Sequence, residues 1–342
     1  MVIPYSSENS NLHGHRYPLK AACFRFICAG LLVGLLMISQ SFAKDTIIIT
    51  SKKTAIIDKT RGTAVWRDNV VVVRKSTGSK LITDLLSIAR DAIRERLIWA
   101  EASGNVKAYY YRSPADDHKK LFIIKPDLQP APHSIITCDQ ATYSRKAALG
   151  ELVGSVHIQS QDFELQAEKI RYDYQVERGK ITAKVGEKVR FVFYKKEPSD
   201  DPQPPSINQV RQKISGSAEE ILVNRLSRKI VLQGVVFIID HSDQSQFKAD
   251  RTDLFFDEQD EIETAVANGN FSMNQPGRIS RSDRAKFDYD REEVTLTGNA
   301  YVKEEEKKVE VTSDRIQMYI KVNQGIIRGV DDVPVKMEIE ID

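Results

Sequence analysis

The residues that could do chemistry are few and scattered. His118, His133, His157 and His241 stand singly in the chain, and no HExxH, CxxC or paired Cys/His spacing accompanies them. A metal site therefore has no ligand set to draw on. His241, Ser242 and Asp243 have the residue types of a nucleophile, base and acid, but they follow the apolar run 230–239 directly, where a solvated hairpin turn is expected. STGSK at 76–80 lacks the spacing of a phosphate loop, and no GxSxG occurs. Asp288 and Asp290 share one side of an alternating run, whereas glycosidase carboxylates must face each other across a cleft. The expectation is a protein without catalytic residues, metal or cofactor.

What the chain has instead is a repeat with two marks. An acid begins a run of alternating apolar residues, and a glycine follows some 15 to 20 positions later inside a second such run. Asp283 leads Ala285, Phe287 and Tyr289. The same pattern returns at Asp84, Asp139, Glu168, Glu219, Asp250 and Asp314, which leads Ile316 and Met318. The glycine falls in register with the apolar face: Gly298 among Val294, Leu296, Ala300 and Val302, then Gly104, Gly154, Gly234 and Gly269 in theirs. Asp68 holds that place in the earliest copy, and Gly186 and Gly329 read better as turn residues.

Period two means strands, one face wet and one dry. Eight units of two strands predict about 16. Only residues 84–100 carry a spacing that a helix could also use. A glycine repeated at one level of each unit predicts a common fold line across the sheet. The recurrent acids read as a structural device, a hydrogen bond at a strand start. Pro- and Asp-rich stretches near 112–134 and 197–207 are insertions, the second also a candidate boundary between two halves.

The first 43 residues have the form of an export signal. Lys20 and Arg25 precede the apolar run Phe26–Ile38, and Ser41 and Ala43 supply small residues for cleavage. That run falls short of the roughly 20 residues a spanning helix needs, so a cut signal is favoured over a retained anchor. Cys23 and Cys28 would leave with it, and Cys138 alone cannot form an internal disulfide. The 50 basic and 48 acidic residues lose three and one respectively with residues 1–43, leaving 47 of each. A neutral chain argues against a nucleic-acid partner.

SDRAKFDYDREEVTLTGNAYV (282–302), KADRTDLFFDEQDEIETAVANGNFSM (248–273) and TSKKTAIIDKTRGTAVWRDNVVVVR (50–74) resemble the OstA-like repeat of the periplasmic lipopolysaccharide-transport protein A (LptA) family, which includes the related LptC and LptD N-terminal domains. The resemblance extends over residues 46–340. It implies an all-β fold, a jelly-roll-like folded antiparallel sheet, over residues 44–342. It also implies a periplasmic carrier whose inner face shelters lipid A acyl chains. Phe256, Phe271, Phe287, Tyr289, Leu296 and Met318 are the inner-face candidates for that contact. The implied partners are lipopolysaccharide, the inner- and outer-membrane transport components joined by edge-strand pairing, and further copies head to tail. A β-sandwich or solenoid scaffold with no lipid cargo is the alternative.

Overall fold

The computed structural model describes residues 46–75, 77–91, 96–111, 132–160, 163–194, 213–258, 262–306, 308–319, 324–328 and 336–339. The export segment 1–43 and most of both predicted insertions lie outside these residues. The described residues form two compact units, the first ending at Val189 and the second starting at Arg190.

Both units are built of antiparallel strands. The first contains β1 (Ile47–Thr50), β2 (Ala55–Asp58), β3 (Thr63–Arg74), β4 (Lys80–Arg90), β5 (Leu97–Tyr110), β6 (Ser134–Ser144), β7 (Leu149–Ser160), β8 (Phe163–Asp173) and β9 (Arg178–Thr182). From β3 to β9 each strand pairs with the next in sequence, while β1 and β2 share one flank of β3. The stretch that a helix could have used is strand, β4 running on toward β5.

The second unit opens on β10 (Val189–Tyr194), whose first residue belongs to the first unit. It contains β11 (Lys213–Ala218), β12 (Glu220–Asn224), β13 (Lys229–Asp240), β14 (Ser245–Phe256), β15 (Ile262–Gln275), β16 (Arg278–Asp288), β17 (Glu293–Glu304), β18 (Val309–Tyr319), β19 (Gln324–Arg328) and β20 (Lys336–Ile339). Sequential pairing runs from β13 to β18. β11 and β12 lie in line along β13, and β19 and β20 in line along β18. The 20 described strands exceed the expected 16 because four courses are broken in two.

One slip recurs at the same level in successive strand pairs, while two others, at Ala89–Arg90 and Phe255–Phe256, lie near strand ends. Between β16 and β17, Arg281 pairs with Tyr301 and Arg284 with Thr297, so the register slips by one residue around Asp283 and the Gly298–Asn299 pair. Matching slips flank Asp84, Asp139, Glu168 and Asp250. These are β-bulges, two residues of the glycine strand standing opposite one acid. Gly298 and Asn299 both have positive φ, 73° and 48°. A Cβ built on Gly298 would stand 2.5 Å from Asp283 Oδ2, and Asn299 Nδ2 donates to the same carboxylate oxygen at 3.0 Å. Asp250 sits in the same way on Gly269 and Asn270, and Asp84 on Gly104 and Asn105. Asp139 covers Gly154 and Glu219 covers Gly234. The two marks of the repeat are thus the halves of one contact.

That contact corrects the expected placement of the acid. It sits mid-strand, not at a strand start, and its side chain is on the outer, exposed side, not in phase with the dry face. Because the bulge turns two consecutive residues outward, the inner phase changes there: Ser280 and Ser282 face inward before Asp283, Ala285 and Phe287 after it. A hydroxyl just before the acid closes the bulge. Ser282 Oγ donates to the Arg284 carbonyl at 2.9 Å, and Thr83 Oγ1 to the Leu85 carbonyl at 3.1 Å. Cys138 holds this position before Asp139, and burial pushes its thiol up to about 12.

The bulges fold the sheet. Phe247 precedes the bulge on β14. Phe287 follows it on β16, level with Leu254 through Ala265. In a flat sheet they would be about 25 Å apart, seven residues along and two strands across. Their ring centroids are 6.2 Å apart. Many of the residues flanking the fold line are small, Ala249, Thr252, Ala267, Ser282, Ala285, Ala300 and Ser313, and all are buried, interleaved with Phe271, Leu296 and Ile316. Small side chains are what a closing angle between two arms requires.

Two outcomes follow for stability in chemical denaturation. Gly298→Ala should cost about 1–3 kcal/mol through its φ and its clash with Asp283, and adding Asp283→Ala should restore part of the loss; no restoration would separate the glycine from the acid. Val235, exposed at φ 42°, occupies the place that asparagine holds elsewhere. Val235→Asn should raise stability by about 0.5–1 kcal/mol.

Candidate functional site

The continuous apolar surface of the second unit is its inner face, and it takes shape from the two arms together. Phe271, Leu296, Ala249, Ala267, Ala285, Val294, Ala300, Val302, Val311 and Ile316 form one buried cluster, with Phe247, Met273, Phe287, Val309 and Met318 packed against it. Three rings meet where these side chains pack on the cluster: Phe247 and Phe271 at 5.5 Å, Phe271 and Phe287 at 6.0 Å, both edge-on. Edge-to-face contact is the favoured arrangement of such rings.

Four of the six sequence candidates come together here. Phe271 and Leu296 are buried, while Phe287 and Met318 lie half-buried beside them. Phe256 is buried at the end of β14, outside this cluster, and Tyr289 follows β16. Burial pushes the Tyr289 phenol up to about 12, which keeps it neutral and able to donate at any physiological pH.

Phe247 was not among the candidates. Counting by twos backward from Thr252 and Leu254 through Asp250 puts it on the wet face, and only the phase change at the bulge brings it inside. The signal was present as the alternation Ser245, Phe247, Ala249 ahead of the acid.

In this structure the inner side chains fill the space between the arms: Leu296 and Ala285 are 0% exposed. The outer face is polar, with Lys286 bonded to Asp288 at 3.3 Å. His241 lies in the β13–β14 turn with Nε2 2.8 Å from Ser215 Oγ, while Ser242 donates to Asp240. At the start of the first unit, β2 exposes Ile56 and Ile57, 57% and 62% accessible, along the flank of β3. The two isoleucines are adjacent on a strand of only four residues.

No curated protein matches the sequence. Among solved structures, LptH from Pseudomonas aeruginosa, described as the LptA homologous periplasmic component of the conserved lipopolysaccharide transport device, is 17% identical. The match covers 47% of this chain and 91% of that one, with a TM-score of 0.29. Residues 135–324 match the family described as LptA/(LptD N-terminal domain) LPS transport protein. That span is more than half of the chain and takes in the bulges from Asp139 to Asp314. The chain belongs to the LptA/LptD N-terminal domain family of LPS transport proteins.

Proposed function

We propose that this chain is a periplasmic, non-enzymatic carrier that shelters the acyl chains of lipopolysaccharide on its inner face and bridges inner- and outer-membrane transport components. The observation that carries the reading is the face itself, an apolar surface continued from strand to strand across a fold line in a member of an LPS transport family. Acyl chains leaving water for such a surface gain about 0.8 kcal/mol per buried methylene. Replacing contacts between the two arms by contacts with acyl chains exchanges one apolar packing for another, so the gain from desolvating the lipid remains as the driving force. Holding lipid in this way needs no nucleotide.

A second reading is a closed β scaffold without cargo, and the full burial of Leu296 and Ala285 favours it. The two readings differ in whether the arms part for a lipid. A benzophenone side chain at Phe287 or Met318 should capture lipopolysaccharide on irradiation, while the same group at outward Lys286 should not. Equal capture at all three positions would remove the inner face from the mechanism.

For bridging, the exposed flank of β2 joins a partner's sheet by strand pairing, either a second copy or a transport component. Lysine at Ile57 should lower the association of purified copies at least about tenfold in sedimentation, because a charge on an edge opposes pairing. Ile57 is exposed, so Tm should move by no more than about 2 °C. Unchanged association would exclude this edge.

A further inference from the structure

The position after each acid faces outward at the bulge and carries no fold requirement: it is Leu85, Gln140, Lys169 and Glu220 in four copies of the repeat. In the three successive acid-bearing strands β14, β16 and β18 it is always arginine, namely Arg251, Arg284 and Arg315, and all three are exposed. Thr297 pairs with Arg284 on one side and Arg315 on the other. The two arginines therefore stand about 10 Å apart, two strand spacings, with a threonine between them.

The surroundings differ along this row. Arg251 is neutralised by Asp253, its Nε donating at 2.8 Å. The equivalent of Asp253 is Lys286 on β16 and Gln317 on β18, so neither Arg284 nor Arg315 has an acid at that position. Among the described residues, the guanidinium groups of Arg284, Arg291 and Arg315 make no ion pair. Together with Lys286, Thr295 and Thr297 they line an open outer-face groove of about 330 Å³. Glu293, which accepts from Thr295 Oγ1 at 2.9 Å, and Asp288, which accepts from Lys286 Nζ at 3.3 Å, line it as well.

The geometry points to a binding site for a phosphorylated sugar in this groove. Arginines free of partners suit the phosphate, which they can hold by paired donors. The two carboxylates and the threonine hydroxyls suit sugar hydroxyls, and the same carboxylates oppose a bare anion. The volume lies at the lower end of the range for small-molecule sites. The site lies on the opposite face of the sheet from the apolar cluster and requires no acyl chain, so it stands independently of the proposed lipid carriage.

The test is calorimetry on the purified full chain with glucosamine 6-phosphate, glucosamine and inorganic phosphate at low ionic strength. The sugar phosphate should bind at least about tenfold more tightly than either fragment. The Arg284→Gln/Arg315→Gln double variant should weaken it at least about tenfold. Gln140 occupies the same bulge position, so the variant should melt like the parent and keep its photo-capture of lipopolysaccharide at Phe287. Inorganic phosphate binding as tightly as the sugar phosphate (an adventitious ion only), no heat from any of the three, or undiminished binding by the double variant would each overturn the site.

Discussion

The fold depends on one small contact, a carboxylate laid over two consecutive residues of left-handed conformation on the next strand. A side chain at the first of those residues would collide with the acid, and the acid in turn accepts from the asparagine that follows in three of the copies. Since two residues oppose one, the strand bends there. Repeated at one level, the bends add to a crease, and a crease brings Phe247 within ring contact of Phe287 across what a flat sheet would hold far apart. The buried cluster is a consequence of the crease. Neither arm could cover its own apolar face alone.

The crease also divides labour between the faces. Acid, asparagine and the residue after the acid all project outward, so the polar parts of the device consume none of the inner surface. Inside, alanine, serine and threonine alternate beside the crease with Leu232, Val236, Phe271, Leu296 and Ile316, and Phe247, Phe287, Met273 and Met318 stand farther out along the arms. An apolar ligand would meet large, deformable side chains there, Met318 and Phe287 among them, and not the tightly packed small residues at the crease. With only Cys138 available in the described residues, the order of the strands is held by pairing and burial.

The sequence made the strands, their pairing in order and the level of the crease legible, because acid and glycine recur with apolar alternation around them. It hid the phase change. A count by twos carried through Asp250 or Asp283 places the acid inside and Phe247 outside, and both placements are reversed in the structure. The reason is that a bulge is a property of two strands: the extra residue lies in the glycine strand, while the change of phase is seen in its neighbour. The hydroxyl at Thr83 and Ser282 was equally hidden, since its partner is a carbonyl that only the bulge leaves open. The six inner-face candidates were recognisable as apolar and in phase, yet which of them share a cluster depends on how the arms close.

Two irregular copies show which part of the contact is indispensable. In the earliest, Asp68 and Asn69 take the left-handed pair at φ 63° and 48°, and Lys53 from the preceding segment bonds Asp68. Acid and glycine positions have exchanged character, with the charge now on the bulge and its partner a cation. Both side chains are largely exposed, so the ion pair itself adds little. What persists is the backbone shape, which aspartate and asparagine adopt more readily than most residues. At Gly234 the second place is Val235, a β-branched residue for which φ 42° is unfavourable by about 1–2 kcal/mol. The chain accepts that cost at a residue whose local preference is for an ordinary strand. The conformation is therefore imposed by the neighbouring strands through the crease, and the glycine and asparagine of the better copies lower its energy without being its cause.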